Sequence, residues 1–387
     1  NDDGEIRPHA HIHPDNMMDY DNSWNIIPSS DSDGDHIGEV GALRLAKAMW
    51  WLLARIAGWD GNIPVEPVSQ SITLNTGWNI LSFAVEPENP SLLSILQPLI
   101  NEGSIIKLQD ERGYAIQHLR EPTGWVNPIG NMSVTEGYKI YLYSGTTLNL
   151  TGLPVLLPFD IQLEQGWNIM GFPALVPEDA SMVFGPLMSA GVLEKVQNEQ
   201  GESIENIEGE WIYGFTNLYP GEGYRVKLYS DTTLTITGGS KGNSLTEGLS
   251  VSKTVHFKTA YEGNGLDHMN IYVIRGGEVE SGRMGEKEEL NGRMGDGDEL
   301  GVFDGEICVG SAVVENEGKY IQVIASFDDS ETEEKDGFEE GNKLELRLWD
   351  RETGEEVKVG TEVKAGYSDM LKRQGTAVLN AKIPGEV

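Results

Sequence analysis

Three groups of residues in this 387-residue sequence have types and spacings that chemistry can use. The first is Asp33-Gly34-Asp35-His36, an acid three positions ahead of a histidine. Such a pair can orient an imidazole that deprotonates a serine, since a serine hydroxyl needs an adjacent base to become nucleophilic. The plainer reading is that Asp33 and Asp35 serve the N-terminal end of the helix that follows. The second group is aromatic: Trp125, Trp211, Tyr138 and Tyr224. Surface Trp and Tyr stack on sugar rings because they are apolar on the face and polar at the tip. Trp125 and Trp211 lie in loop-like surroundings, beside Pro122/Gly124 and Gly209, and are the better candidates for exposure. The third group is acidic. Asp296, Asp298 and Asp304 come nearest to a calcium-loop spacing, and calcium takes roughly six to eight oxygen ligands. The full EF-hand pattern is absent, and a solvated acidic loop is the plainer reading, as it is for Asp328-Asp329 and Glu331–Asp336. His9, His11 and His13 share one face of an extended segment, but no cysteine or fixed scaffold accompanies them.

The charge balance bounds the partners. With 28 basic and 62 acidic residues the net charge is −34, which repels nucleic acid and anionic lipid. The same charge favours solubility, cation binding or a place outside the cell. Cys308 stands alone, so no intrachain disulfide framework exists; its setting reads as a strand with a small buried thiol. The one long apolar stretch, Val40–Ala57, carries Arg44, Lys47 and Arg55 and is too short and too charged to span a bilayer. No signal peptide is visible in a chain that starts Asn-Asp-Asp-Gly, so the reading is of a processed chain or an excised part.

The elements that must position these residues are organised by a duplication. Gly77-Trp78-Asn79 returns as Gly166-Trp167-Asn168, Asp110-Glu-Arg-Gly113 as Asn198-Glu-Gln-Gly201, Glu136-Gly137-Tyr138 as Glu222-Gly223-Tyr224, and Thr146-Thr147-Leu148 as Thr232-Thr233-Leu234. The offset drifts only from 89 to 86 residues. A period this long marks whole small domains, since solenoid units repeat every ~20–50 residues. Trp78 and Trp167 read either as core plugs that the fold needs twice or as a ligand platform. Alternating strands and Gly-rich turns recur through each copy, with one short helix at Pro90–Ile100 and its counterpart Ala180–Met188. Residues 1–60 read as an irregular arm and one Ala/Leu-rich helix from Glu39 to Ala57, stopped by Gly58. A helix so apolar needs a partner that the first 38 residues cannot supply. A linker follows at 61–70, then repeat A at 71–155, repeat B at 156–238, a second linker at 239–245, and a third β domain at 246–387. There Val255–Lys258 and Met269–Ile274 read as strands, and Asp304-Gly305 as a tight hairpin turn. The fold class expected is mainly β: arm and helix, two tandem homologous β-rich domains, and a C-terminal β-sandwich.

Three resemblances add to this. Asp33-Gly34-Asp35-His36, Gly41 and the helix ending Trp-Trp-Leu-Leu-Ala-Arg-Ile-Ala-Gly-Trp-Asp-Gly resemble the last block of an SGNH (GDSL-type) hydrolase over about residues 8–60. The resemblance implies Asp33 as orienting acid and His36 as general base. The Gly-Asp-Ser nucleophile block and the oxyanion-hole Gly and Asn blocks are absent, so the stretch reads as an esterase tail that is inactive unless the rest is supplied. Residues 70–238 resemble modules on the C-terminal side of large secreted multidomain proteins of Bacteroidetes-like bacteria. Gly297–Gly305 with Cys308-Val-Gly resembles a β-sandwich module of bacterial surface and adhesin-like proteins. Together these imply a non-catalytic extracellular or cell-surface region that binds, adheres or displays; the aromatic residues make polysaccharide the expected ligand, and the acidic loop makes calcium the candidate cation. Two other readings stand beside it: part of an SGNH-type carbohydrate esterase working with an upstream hydrolase domain, and a filament or surface-layer subunit that pairs with a neighbour.

Overall fold

The computed structural model describes residues 39–58, 65–238, 254–274, 294–315 and 318–383. Among them are 24 strands and four helices, so the chain is mainly β. It divides into two units, Asn1–Val65 and Glu66–Val387. In the first, α1 (Glu39–Ile56) is helical where the alanines, leucines and apolar spacing require it. Leu43, Leu45, Met49, Trp50, Trp51, Leu52, Leu53 and Ile56 are all exposed on it. Asp33 and His36 lie outside the described residues, as do the three histidines of the arm.

In the second unit the duplication becomes two copies of one topology. Repeat A runs β1 (Val68–Leu74), β2 (Gly77–Leu81), β3 (Val85–Glu86), α2 (Leu92–Ile95), α3 (Gln97–Glu102), β4 (Ile105–Gln109), β5 (Ala115–Leu119), β6 (Gly124–Val126), β7 (Tyr138–Leu142) and β8 (Thr146–Pro154). Repeat B runs β9 (Phe159–Leu163), β10 (Gly166–Met170), β11 (Glu178–Asp179), α4 (Ala180–Ser189), β12 (Leu193–Gln197), β13 (Ser203–Ile207), β14 (Glu210–Tyr213), β15 (Asn217–Leu218), β16 (Tyr224–Leu228) and β17 (Thr232–Ile236). The five-stranded sheets have matching orders, β2-β7-β4-β5-β6 and β10-β16-β12-β13-β14. The helix differs. In repeat B the Asp179 carboxylate caps α4 by accepting from the Ser181 and Met182 amides. In repeat A Ser91 makes no side-chain cap, and the chain breaks into α2 and α3 with Pro98 opening the second. Each repeat has its own core, built on Phe83, Leu96, Leu108 and Tyr138 in A and on Phe172, Phe184, Val196 and Tyr224 in B.

The repeated motifs now have structural work. Gly77 and Gly166 turn the chain with φ of +84° and +94°. The next asparagine ties that turn down: Asn79 Oδ1 accepts from the Asn75 amide, and Asn168 Oδ1 accepts from the Glu164 amide. Tyr138 and Tyr224 are fully buried. The Tyr138 hydroxyl accepts from the Ser133 amide and donates to Glu136, and the Tyr224 hydroxyl accepts from the Tyr219 amide and donates to Glu222. Both tyrosines are therefore corner pins, and their reading as ligand-binding residues is corrected: a ring with no exposed face offers nothing to a sugar.

The repeats face each other across a pseudo-twofold axis. The Gly137 amide donates to Ile169 O at 2.8 Å, and its twin Gly223 donates to Ile80 O at 2.7 Å. The Gly171 amide donates to Thr135 O at 2.9 Å, and Ser82 donates to Gly221 O at 2.8 Å. The Glu111 carboxylate accepts from the Ile169 amide, and Glu199 accepts from the Ile80 amide. Gly137 and Gly223 meet at the axis. A Cβ on Gly223 would stand 2.7 Å from the Ile80 side chain and 3.2 Å from the Gly137 Cα.

The third domain closes on itself. Its strands are β18 (Met269–Ile274), β19 (Glu299–Asp304), β20 (Ile307–Val313), β21 (Tyr320–Ala325), β22 (Glu345–Trp349), β23 (Glu356–Val363) and β24 (Thr376–Lys382). They form a closed barrel in the order β18-β21-β20-β19-β22-β23-β24, sealed by the parallel pair β18–β24. The β-rich class stands, but the expected sandwich is a barrel, because β24 returns to pair with the first strand and leaves no open edge. The expected strand at Val255–Lys258 is also absent. The amides of Val255, His256 and Phe257 instead wrap the buried Glu299 carboxylate. The turn at Asp304-Gly305 is as read, joining β19 to β20.

Candidate functional site

The barrel docks on the outer faces of both repeats, and one carboxylate sits where their symmetry puts two cations. Lys139 on β7 and Arg225 on β16 are twins, and both pair with Asp267 of the barrel. The two cations hold the Asp267 carboxyl well below the usual carboxylate range, against the cost of its burial. Burial and the Arg225 guanidinium push the Lys139 ammonium down to about 8, and the same two causes push His268 down to about 4. On repeat B the barrel covers β12 and β13. The fully buried Lys195 reaches Gly375 O and Thr376, Gln197 donates to Asn270, and Ser203 bonds the Tyr272 hydroxyl.

Where the barrel meets repeat A, its loop from Phe327 to Asp336 stands off the sheet and leaves a cleft of about 470 Å³. Trp78, Tyr141, Tyr143, Tyr261 and Phe327 are the aromatic residues that line this cleft, and Glu262, Asp329, Glu331, Glu334 and Asp336 the acidic ones. The Trp78 ring stacks on Tyr141 at 4.9 Å between centroids and 25° between planes. Its indole N–H donates to Asp329 Oδ2 at 2.8 Å. Lys107 pairs with Glu331 at 2.6 Å and lies 5.1 Å from the Trp78 ring centre. Tyr143 is 69% exposed at the rim, which makes it the aromatic face most open to a ligand. Burial, with the neighbouring Asp329 and Asp328 carboxylates, pushes the Asp336 carboxyl up. Burial and the Asp329, Asp336 and Glu331 charges push the Tyr141 phenol up. The cleft is thus aromatic on the repeat A wall, while the barrel wall carries the carboxylates together with Tyr261 and Phe327.

Trp78 and the acidic run at 328–336 meet at this cleft, and the other residues singled out from the sequence fall elsewhere. Trp125 and Trp211 are half-buried on the edge strands β6 and β14, each packed against its own repeat's core. Neither lines the cleft. Asp298 immediately precedes β19 and Asp304 ends it, about 20 Å apart at ~3.3 Å per residue. Their oxygens are already used: Asp298 accepts from the Gly295 and Arg351 amides, and Asp304 from Lys335, Asn342 and the Glu339 amide. Asp296 is exposed. The three do not converge, and among the described residues no group of three His, Cys, Asp or Glu is placed to hold a metal ion. Calcium is therefore not assigned to them. Trp78, read as either core plug or platform, is buried on the outer face of the sheet, against the barrel. The acidic run at 328–336 was visible in the sequence, but the aromatic residues it would face were not.

Among the described residues, no helix is long and apolar enough to cross a membrane. Comparison of the chain with protein-family models, with curated proteins and with solved structures gives no match.

Proposed function

We propose that this chain is a non-catalytic binding module of the cell surface or extracellular space, and that the cleft between repeat A and the barrel takes a carbohydrate. The observation that supports this reading is the meeting of five aromatic and five acidic residues around one opening. A sugar ring presents a C–H face that stacks on Tyr or Trp and hydroxyls that donate to carboxylates. The anionic wall favours neutral or amino sugars over acidic ones. A glycan array followed by calorimetry tests it. Tyr143→Ala should weaken binding about three- to tenfold, and Trp211→Ala, outside the cleft, should leave it unchanged. Lack of binding to any neutral or amino glycan, or equal loss in both variants, overturns the reading.

The exposed apolar surface of α1 favours a second reading for the first unit, as the closing helix of an SGNH-type hydrolase domain with Asp33 and His36 as acid and base. Hydrolysis of p-nitrophenyl acetate that His36→Ala abolishes would support it. Activity unaffected by His36→Ala would dismiss it.

A further inference from the structure

The pseudo-twofold axis creates two equivalent notches, and only one is filled. Each lies between the edge strand that carries Gly-Trp-Asn-Ile in one repeat and the β-hairpin turn of the other. The first is bounded by Trp78–Ile80 and the turn Asn198–Gly201. The barrel loop Glu262–His268 fills it. The Asn264 side-chain amide donates to Trp78 O at 3.1 Å and lies beside Glu199, whose charged form it favours. His268 packs so closely on Gly201 that a Cβ there would stand 2.3 Å from its ring, and Glu262 O covers Gly77.

The second notch is bounded by Trp167–Ile169 and the turn Asp110–Gly113, with Lys139, Arg225, Asp267 and Gln374 lining the rest. It is open, with a volume of about 230 Å³. Its glycines are uncovered: a Cβ on Gly166 would meet nothing within 4 Å, and one on Gly113 only the end of the Gln109 side chain at 3.6 Å. Glu111 holds the Ile169 amide as Glu199 holds that of Ile80. Among the described residues, none bonds Trp167 O as Asn264 bonds Trp78 O. The barrel's Asp267 and Gln374 line one side of this notch without filling it.

We propose that this open notch docks an asparagine-bearing turn of a partner protein, in the way the barrel loop occupies its twin. The chemistry is set by what faces the notch. Trp167 O and the Glu111 carboxylate are acceptors, and the Lys139 and Arg225 cations also line the notch, so the fitting group carries N–H donors together with an acceptor oxygen, as a primary carboxamide does. The volume lies below the ~300–1,000 Å³ usual for small-molecule sites and suits one side chain with the turn that carries it. This inference is independent of the carbohydrate reading.

The probe is a cyclic peptide of residues 261–269, titrated into the full chain labelled with 15N-tryptophan, with the Trp78 and Trp167 indole signals assigned by Trp→Phe variants. The expected result is a saturable shift of the Trp167 signal at one peptide per chain, with the Trp78 signal unmoved. The peptide with Asn264→Asp, which has the same shape but no donors, should bind at least about tenfold more weakly. Glu111→Gln in the protein keeps an acceptor for the Ile169 amide and should weaken the original peptide similarly. A Trp167 signal static up to ~1 mM peptide, a shift confined to Trp78, or equal binding of the Asp peptide overturns the proposal.

Discussion

Trp78 and Trp167 are the same residue of the same motif in two copies of one fold, and they have different fates. Trp78 is buried, stacked on Tyr141, bonded to Asp329 and covered by a loop of the barrel. Trp167 is half-buried, with Lys227 5.7 Å from its ring and an open notch beside it. Part of the difference is local, since Trp78 faces Tyr141 across its strand pair where Trp167 faces Lys227. The barrel supplies the rest, by straddling the axis and touching the two copies unequally. A duplicated motif therefore specifies a local shape, a turn tied by asparagine and a tryptophan turned outward, while a third domain decides what that shape is used for.

The largest expected effect comes from removing what both copies share. Asp267→Asn keeps the shape, and asparagine tolerates the φ of +45° at this site, but Lys139 and Arg225 lose their common counter-charge. Destabilisation of about 3–5 kcal/mol is expected in denaturant unfolding. Asp267 has a depressed folded pKa, so its contribution is present above its unfolded value of 3.8 and lost as pH falls below it. The wild-type advantage over Asp267→Asn should therefore shrink in acid. Next, Trp78→Phe removes the donor to Asp329 and should cost about 2 kcal/mol, against under about 1 kcal/mol for Trp167→Phe. Equal costs would mean that the barrel does not distinguish the copies. Gly223→Ala and Gly137→Ala should each cost about 1–3 kcal/mol through overpacking at the axis, while Gly166→Ala measures backbone strain alone. The smallest effect depends on pH. Burial pushes the Glu199 carboxyl up to about 7 from 4.5 in the unfolded chain, so its stabilising contribution is full below 4.5 and lost as pH rises through 7. Glu199→Gln should accordingly gain on the wild type between pH 5 and 8, by about 1 kcal/mol after solvent screening. His268, held neutral by burial, acts in the opposite sense over part of this window, so it is the difference between variant and wild type that isolates Glu199.

Much of the architecture is legible in the sequence because it is local. Gly-Trp-Asn, the hairpin turn and Glu-Gly-Tyr each bond within a few residues of themselves, so their recurrence announces the two copies and their strands. The closure of the barrel is not legible, because β18 and β24 join positions about a hundred residues apart with no pattern that marks the pairing. The cleft is hidden for the same reason: Trp78 and Asp329 are 251 positions apart. Tyr138 and Tyr224 mislead because an amphipathic ring is equally at home in a core once its hydroxyl finds partners. Asp298 and Asp304 mislead because spacing along the chain suggests a loop where the residues between them form an extended strand.

The carboxylate on the axis has one more consequence, for stoichiometry. A tandem pair suggests two equivalent receptors and a gain in avidity from having both. A point on a twofold axis can be occupied only once, and here the chain's own third domain occupies it. The halves thereby cease to be interchangeable, and each surface they offer should titrate with a single equivalent of its ligand.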